Sequence, residues 1–419
     1  MNAGTFFLIR RLILMVSGEA LQSGFHFALN LYLLHILSAA DYGIFAISMV
    51  MGGVAIAYTR SLTAVPASVW ISRSRTRREA DAYDITFGSG ALLLSTALAL
   101  AAMTLLWLWQ SHGPIVGGLF IGLWALRSHM RTASFARHRQ WIVSCSDLTF
   151  TFIGCAVTAF IVYQGQDVLV GIFEGLAVAN GLGILLLLLL PRTRIRISFR
   201  REVRRRYVRL WPQLRWTVFY VTTALLQGQT IAILVTSAAG PAAYAPIAAV
   251  MTLFAPLRII ATAFDNMMQP EMSAAMGRHD YARVWKQALL WSGLLGIGCL
   301  VYGGLVFVIA PYIKSDTFAN ASIHVIGASA MVISTLLIMY SMPRIIMETA
   351  SAFSTLALIS GLAAIVGFVS IAILLAVSTP AWALAGAALS EIAFFILCWT
   401  AVYRRLTAGD GLPEAGSVK

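Results

Sequence analysis

The sequence has very little charge for its length. Only 11% of its 419 residues are charged and 59% are hydrophobic, and the mean hydropathy is +0.81. A soluble domain averages about 25% charged residues, so this chain lacks the polar side chains that cover a water-facing surface. The composition therefore excludes a soluble globular protein and predicts an integral membrane protein with many spans.

The sequence also lacks the motifs of catalysis and of cofactor binding. Its four cysteines are dispersed in apolar runs, so they form neither a disulfide framework nor a metal-binding spacing. A phosphate-binding loop for ATP and a nucleophile elbow are both absent from the chain. We therefore expect no catalytic residue, no metal and no cofactor, and the chain is predicted not to be an enzyme.

Long hydrophobic runs, in contrast, are abundant. A spanning helix needs about 20 apolar residues, whereas barrel strands alternate over about ten. Twelve segments meet the helical requirement: 12–37, 42–68, 85–109, 115–136, 141–163, 168–190, 212–237, 243–268, 287–312, 320–343, 353–378 and 381–403. The predicted fold is all-α, a polytopic membrane protein with about twelve transmembrane helices in two six-helix lobes.

Acidic residues are scarce, and the cations are unevenly placed. Thirty Lys and Arg oppose 17 Asp and Glu, which gives a net charge of +13. One set of alternating loops carries Arg10, Arg11, Arg73, Arg75, Arg77, Arg78, Arg137, Arg139, nine arginines from Arg192 to Arg209, Arg278, Arg283, Lys286, Arg344, Arg404, Arg405 and Lys419, and the opposite loops carry Lys314. Basic loops stay cytoplasmic, so we expect a multi-pass protein of the cell inner (plasma) membrane with both termini cytoplasmic, and no nucleic-acid partner.

A basic linker divides the chain into two halves. The predicted units are an N-lobe over 1–190, a cytoplasmic Arg-rich linker over 191–210, a C-lobe over 211–403 and a cytoplasmic tail over 404–419. A short Ser-Ala-Ala motif ends the first span of each half, at an offset of 199 residues, and this offset brings Arg60 within one residue of Arg258. Six spans per half predict a pseudo-two-fold axis along the membrane normal, with a site between the halves.

Polar side chains recur at helical spacing along the first span. Glu19, Gln22, Ser23, His26 and Asn30 form one stripe. Such residues either join helices by hydrogen bonds or line a wet cavity. The length of the stripe favours a cavity lining.

Four arginines inside the spans are candidate anion ligands. Arg127 and Arg131 lie four residues apart and share a helix face. Alternatively, the two arginines lie at the end of the helix and extend their side chains to the cytoplasmic membrane interface, without binding a ligand. Arg60 and Arg258 lie at equivalent places in the two halves, although Arg60 is equally suited to an interfacial anchor.

Carboxylates inside spans are candidates for ion coupling, because buried acids carry protons or bind Na⁺. Glu19, Asp147 and Asp265 are the predicted coupling residues, and Glu391 is a further acid in the twelfth span. Each of them can instead pair with an arginine as part of the structure. Gln227 repeats the polar character of the first span in the seventh, and it is a predicted substrate contact.

Two stretches resemble a known family. Leu31 to Gly53, LYLLHILSAADYGIFAISMVMGG, resembles the first-to-second span junction of polysaccharide flippases, and RSHMRTASFARHRQWIVSCSDLTF, from Arg127 to Phe150, resembles their Arg-rich fourth helix and the segment after it. These flippases belong to the multidrug/oligosaccharidyl-lipid/polysaccharide (MOP) exporter superfamily. The similar layout of spans covers almost the whole chain.

The resemblance implies a function for the polar residues. Members enclose a cationic cavity between two lobes and move a polyprenyl-pyrophosphate-linked oligosaccharide to the outer leaflet by alternating access. By this resemblance, Arg60, Arg127, Arg131 and Arg258 contact the pyrophosphate, and some relatives use a Na⁺ or H⁺ gradient. From their polar character within the spans, Gln22, His26, Asn30 and Gln227 are further predicted substrate contacts. The implied partners are the lipid-linked glycan, membrane lipid and other polysaccharide-assembly proteins, and we expect a monomer.

Two alternatives from other classes stay open at this point. A small-molecule (drug or metabolite) antiporter of the same superfamily predicts a carboxylate-rich cavity for cations. A membrane-embedded glycan polymerase or transferase predicts a large loop outside the membrane, and the predicted outward loops are short. The cavity arginines favour an anionic cargo over a cationic one.

Overall fold

A computed structural model of the protein describes residues 3–73, 76–109, 113–137, 139–164, 167–190, 197–257, 280–309, 323–350 and 352–407, with 261, 264, 268, 272, 275 and 276. Within these ranges the chain forms helices and turns, and no residue in them belongs to a strand. Backbone groups in hydrocarbon must be hydrogen-bonded internally, which a helix achieves within one segment. The predicted all-α fold class is confirmed.

Fourteen α-helices are labelled here within the described residues. They are α1 (Ala3–Ile36), α2 (Ala39–Thr59), α3 (Val65–Arg73), α4 (Arg77–Leu108), α5 (Pro114–Ala136), α6 (Gln140–Gln164), α7 (Val168–Leu189), α8 (Arg201–Ala239), α9 (Pro241–Leu253), α10 (Tyr281–Ile309), α11 (Ile323–Met339), α12 (Ser341–Thr349), α13 (Phe353–Val377) and α14 (Ala383–Thr407).

Nine helical segments of the described chain are long and apolar enough to cross a membrane. In chain order, the other three predicted spans fall on α1, α5 and the segment that begins with α9. α5 carries the cations Arg127 and Arg131. The chain is therefore an integral membrane protein, and its spans include one with two cations.

A single π turn, Arg60–Ala64, joins α2 to α3. Pro66 follows it, and proline has no N–H and crowds the carbonyl four residues earlier. That carbonyl belongs to Leu62, and it accepts a hydrogen bond of 3.1 Å from the Tyr207 hydroxyl. The wider turn thus accommodates Pro66, and a side chain of α8 satisfies the released acceptor.

The chain forms two compact units, Met1–Val221 and Thr222–Lys419. The boundary lies inside α8, which begins at Arg201, eleven residues before the predicted seventh span. Residues 201–210, predicted as linker, are therefore helical. In the first unit α5 packs against α2, α4 and α7, and α6 packs against α1 and α7. In the second unit α14 packs against α11 and α13.

Candidate functional site

Two arginines of α5 share one carboxylate of α6. Arg127 Nη2 lies 2.7 Å from Asp147 Oδ1, and Arg131 Nη2 lies 2.8 Å from Asp147 Oδ2. The side chain of Arg127 is 1% exposed, that of Arg131 is 11% exposed and that of Asp147 is 2% exposed. Two predicted substrate ligands and one predicted coupling residue therefore form a single buried ion-pair cluster. We call these three residues the arginine cluster.

Helical spacing explains the shared partner. Residues four apart on a helix lie one above the other, so Arg127 and Arg131 present their guanidinium groups to the same face of α6. One carboxylate offers two oxygens, and each guanidinium takes one of them. Among the described residues, Asp147 thus pairs with both arginines at once.

Arg127 is held by more than its ion pair. Its Nε donates to Ser146 Oγ and its Nη2 to the Ser146 carbonyl, both at 3.2 Å, and its Nη1 makes a long contact of 3.5 Å to Gln22 Oε1. The guanidinium carbon lies 4.4 Å from the centroid of the Phe150 ring. A buried charge needs such partners on every side. Arg127 is therefore an anchor within the protein, whereas Arg131 is the more exposed member.

Two glycines permit the close packing around the cluster. A Cβ at Gly18 would lie 2.7 Å from Asp147 Oδ2, and one at Gly183 would lie 2.7 Å from Arg127 Nε. Both distances are far below normal van der Waals contact, so only glycine allows α1 and α7 to approach this closely. The cluster is thus enclosed by α1, α5, α6 and α7.

The polar stripe of α1 reaches the cluster at one end. Gln22 is buried and contacts Arg127. The His26 ring lies 5.0 Å from the Trp124 ring and 5.5 Å from the Phe150 ring, and neither ring nitrogen has a hydrogen-bond partner in the described part of the chain. Asn30 donates to the His26 carbonyl at 2.8 Å. The side chain of Glu19 lies outside the described residues.

The remaining predicted arginines lie elsewhere. Arg60 is exposed at the first position of the π turn. In the same turn Thr63 Oγ1 lies 2.9 Å from His129 Nδ1, a pairing that the sequence analysis missed. Arg258 and Asp265 lie outside the described residues.

The second unit holds a different polar site on α8 and α14. Gln227 Nε2 donates to Glu391 Oε2 at 3.3 Å, and Glu391, 6% exposed, also forms a hydrogen bond with the side chain of Tyr340. Both of these partners are neutral. The sequence identified Glu391 as an acid within a span, but its neighbours lie 51 and 164 residues away along the chain.

Long apolar helices and a buried ion-pair cluster characterise this integral membrane protein, and solved structures share its fold. The chain is similar to the lipid II flippase MurJ in an inward closed conformation, at a TM-score of 0.66 and 11% identity, over 94% of this chain and 87% of that one. It is similar to a eukaryotic MATE transporter at a TM-score of 0.66 and 12% identity, over 94% and 95% of the two chains.

A third similar structure is an outward-facing multidrug resistance MATE family transporter of the MOP superfamily. It matches at a TM-score of 0.57 and 14% identity, over 96% of this chain and 95% of that one. The sequence matches no protein-family model and no curated protein. The chain therefore shares the fold of these MATE transporter and MurJ structures, and the closer resemblance to polysaccharide flippases stays a prediction.

Proposed function

We propose that the protein is a flippase that moves a polyprenyl-pyrophosphate-linked oligosaccharide from the cytoplasmic to the outer leaflet for surface polysaccharide biosynthesis. The observation that carries this proposal is the arginine cluster, which places two guanidinium groups on one face of a helix inside the membrane-spanning bundle. A pyrophosphate cannot cross hydrocarbon unaided, and the planar fork of arginine binds two phosphate oxygens at once. The similarity to a structure named as a lipid II flippase supports the same cargo class.

Within this proposal the two arginines have different tasks. Arg131 is partly exposed and contacts the phosphate, whereas Arg127 is enclosed and positions Asp147 and the surrounding helices. Gln22 and His26 extend the binding surface along α1, beside the aromatic ring of Trp124. Arg60, exposed on the π turn, is a second contact for the headgroup.

Competition between Asp147 and the cargo phosphate argues against Asp147 as the acid that couples ion binding to transport. Asp147 and the cargo phosphate compete for the same guanidinium groups. A proton or Na⁺ on Asp147 would weaken its hold on Arg131 and thereby strengthen phosphate binding. By linkage the cation and the cargo would then favour each other, whereas an exchanger needs them to exclude each other.

Glu391 is the better coupling acid. It is almost fully buried and its hydrogen-bond partners Gln227 and Tyr340 are neutral. Among the described residues Glu391 forms no ion pair, and a buried carboxylate in neutral surroundings gains stability by binding a proton or a cation. We propose that an inward H⁺ or Na⁺ gradient acts at Glu391 to drive the cycle.

The test is transport in proteoliposomes. The purified full chain is reconstituted with a fluorescent polyprenyl-pyrophosphate oligosaccharide, and the outer-leaflet fraction is measured with an impermeant quencher. Wild-type protein is expected to move the lipid, and Arg131→Gln is expected to lower the rate at least about tenfold, because a charge-assisted contact contributes about 1.5–3 kcal/mol. Arg283→Gln, at an exposed arginine of α10, is the matched control and should leave the rate unchanged.

A small-molecule antiporter is the second candidate function. The MATE transporter structure matches with the same TM-score as the flippase. In the same vesicles an antiporter would move a cationic dye and leave the glycolipid in place. That outcome would refute the flippase proposal, since the guanidinium groups of the arginine cluster favour an anionic cargo.

A further inference from the structure

The first seventeen residues of α8, 201–217, form a basic segment that precedes the apolar part of the helix. One face of this basic segment is fixed to the first unit. Arg206 Nη1 donates to the Ala82 carbonyl at 2.9 Å, and Leu210 packs against the buried cluster that contains Ile71 and Phe87. The segment is therefore held in place by α3 and α4, with its opposite face turned away from the protein.

The contacts of the basic segment set its depth. Tyr207 lies against Gly90, whose Cβ position is 3.5 Å from the Tyr207 ring, and Gly90 lies near the start of the apolar stretch of α4. At about 1.5 Å per residue, the 39 residues of α8 also exceed the hydrocarbon core of about 30 Å. The basic segment thus lies at the edge of the membrane, at the level of the lipid headgroups.

The outward face of the basic segment carries arginines interleaved with large apolar side chains. The exposed arginines are Arg201, Arg204, Arg205, Arg209 and Arg215. The exposed apolar residues are Val208 and Trp211 on the helix and Ile197 and Phe199 just before it. Arg204, Val208, Trp211 and Arg215 follow each other at spacings of three and four, so they share one stripe.

We propose that this outward face binds the headgroups of anionic phospholipids. The guanidinium groups bind lipid phosphates as planar forks, while Trp211 and Val208 enter the boundary between headgroups and acyl chains. An acidic protein partner fits this face less well, because it would bury the apolar side chains only by dehydrating the arginines between them. A layer of lipid headgroups offers phosphates for the arginines and acyl chains for the apolar side chains at the same depth.

Lipid binding here differs from the orientation role of basic loops. The positive-inside rule acts on the charge of a loop and needs no surface of fixed geometry. The basic segment is instead a docked helix: Arg206 faces the first unit, and the other five arginines are exposed. The inference does not depend on which cargo the protein carries.

The experiment measures lipid binding by native mass spectrometry of the detergent-purified full chain. Dioleoylphosphatidylglycerol and dioleoylphosphatidylcholine are the two probes. The test variant is R201Q/R204Q/R205Q/R209Q. The control variant, R77Q/R78Q/R283Q/K286Q, removes the same number of charges from exposed positions on other helices.

The test variant is expected to bind phosphatidylglycerol at least about tenfold more weakly, since each interfacial cation contributes severalfold. The test variant should bind phosphatidylcholine within about twofold of wild type. The control variant should bind both lipids within about twofold of wild type. If phosphatidylglycerol binding is unchanged in the test variant, or falls equally in the control, the proposal fails. If the fourfold variant does not fold, R204Q/R205Q replaces it, with R77Q/R78Q as its control and the same criteria.

Discussion

Asp147 is the residue on which the arginine cluster depends most. Its two oxygens each hold one guanidinium, and the three side chains are almost fully removed from solvent. Taking two charges out of water is costly and is offset only when the partners stay together. Loss of the Asp147 charge would remove from Arg127, 1% exposed, an ion pair of 2.7 Å.

At this scale we predict that Asp147→Asn lowers the free energy of unfolding by about 3–5 kcal/mol, the usual cost of breaking a buried pair. The measurement is thermal or denaturant unfolding of the detergent-purified protein. Asp81→Asn is the control, because Asp81 pairs with Arg137 at 2.9 Å but is 60% exposed, and surface pairs contribute about 1 kcal/mol or less. Equal losses in the two variants would contradict a buried cluster.

We predict that the variant Glu391→Gln affects ion coupling but not folding. The amide keeps the size of the side chain and removes the charge, so stability should be unchanged or raised, because a buried carboxylate loses its desolvation cost. Transport in vesicles should lose its dependence on an imposed H⁺ or Na⁺ gradient. Glu174→Gln, at an exposed acid of α7, should keep that dependence, and a Glu391→Gln protein that still responds to the gradient would remove Glu391 from the coupling step.

At the scale of the helix, α5 is a span whose cations are accommodated by its neighbours. Gly183 of α7 lies against Arg127 and Ser146, and Gly181 of the same helix has open space at its Cβ position. The two glycines therefore differ in surroundings while sharing a helix. This makes them a matched pair for testing how tightly α7 packs on the cluster.

We predict that Gly183→Ala destabilises the protein by about 1–3 kcal/mol, the usual cost of overpacking a core. Gly181→Ala should be neutral or slightly stabilising, because alanine favours helix by about 1 kcal/mol over glycine. Unfolding of both variants in the same detergent is the measurement. A stabilised Gly183→Ala protein would show that α7 does not approach Arg127 as closely as described.

At the scale of the whole molecule, the arginine asymmetry predicts the orientation of the chain. Loops on the two sides alternate, and exposed positions are available on each, such as Ala40 and Thr379 on the predicted outside and Arg78 and Arg283 on the predicted inside. Basic loops resist translocation. The direction of insertion is therefore a property of the sequence that can be tested without any assay of transport.

The test uses single cysteines in a background without the four native ones. In intact cells an impermeant maleimide should label Ala40→Cys and Thr379→Cys but leave Arg78→Cys and Arg283→Cys unlabelled until the cells are opened. Labelling of all four positions in permeabilised cells controls for reactivity. The reverse pattern would contradict the predicted cytoplasmic termini.

Much of the architecture was predictable from the sequence because it depends on local composition. Hydrophobic segments mark the helices to within a few residues in most cases, as in α5, α6, α7 and α13. The start of α8 was missed, because its basic residues lower the hydropathy without weakening the helix. Arginine is a good helix former, so the helix extends into the predicted linker.

The sequence by itself determined that the chain crosses the membrane many times as helices, since hydrocarbon accepts only internally bonded backbone. It also showed that Arg127 and Arg131 share a face, since helical spacing is local. Only the tertiary structure decided that Asp147 pairs with both of them and that Glu391 meets Gln227. Those pairings depend on how closely the helices pack, which is set by residues such as Gly18 and Gly183 distant from the charges along the chain.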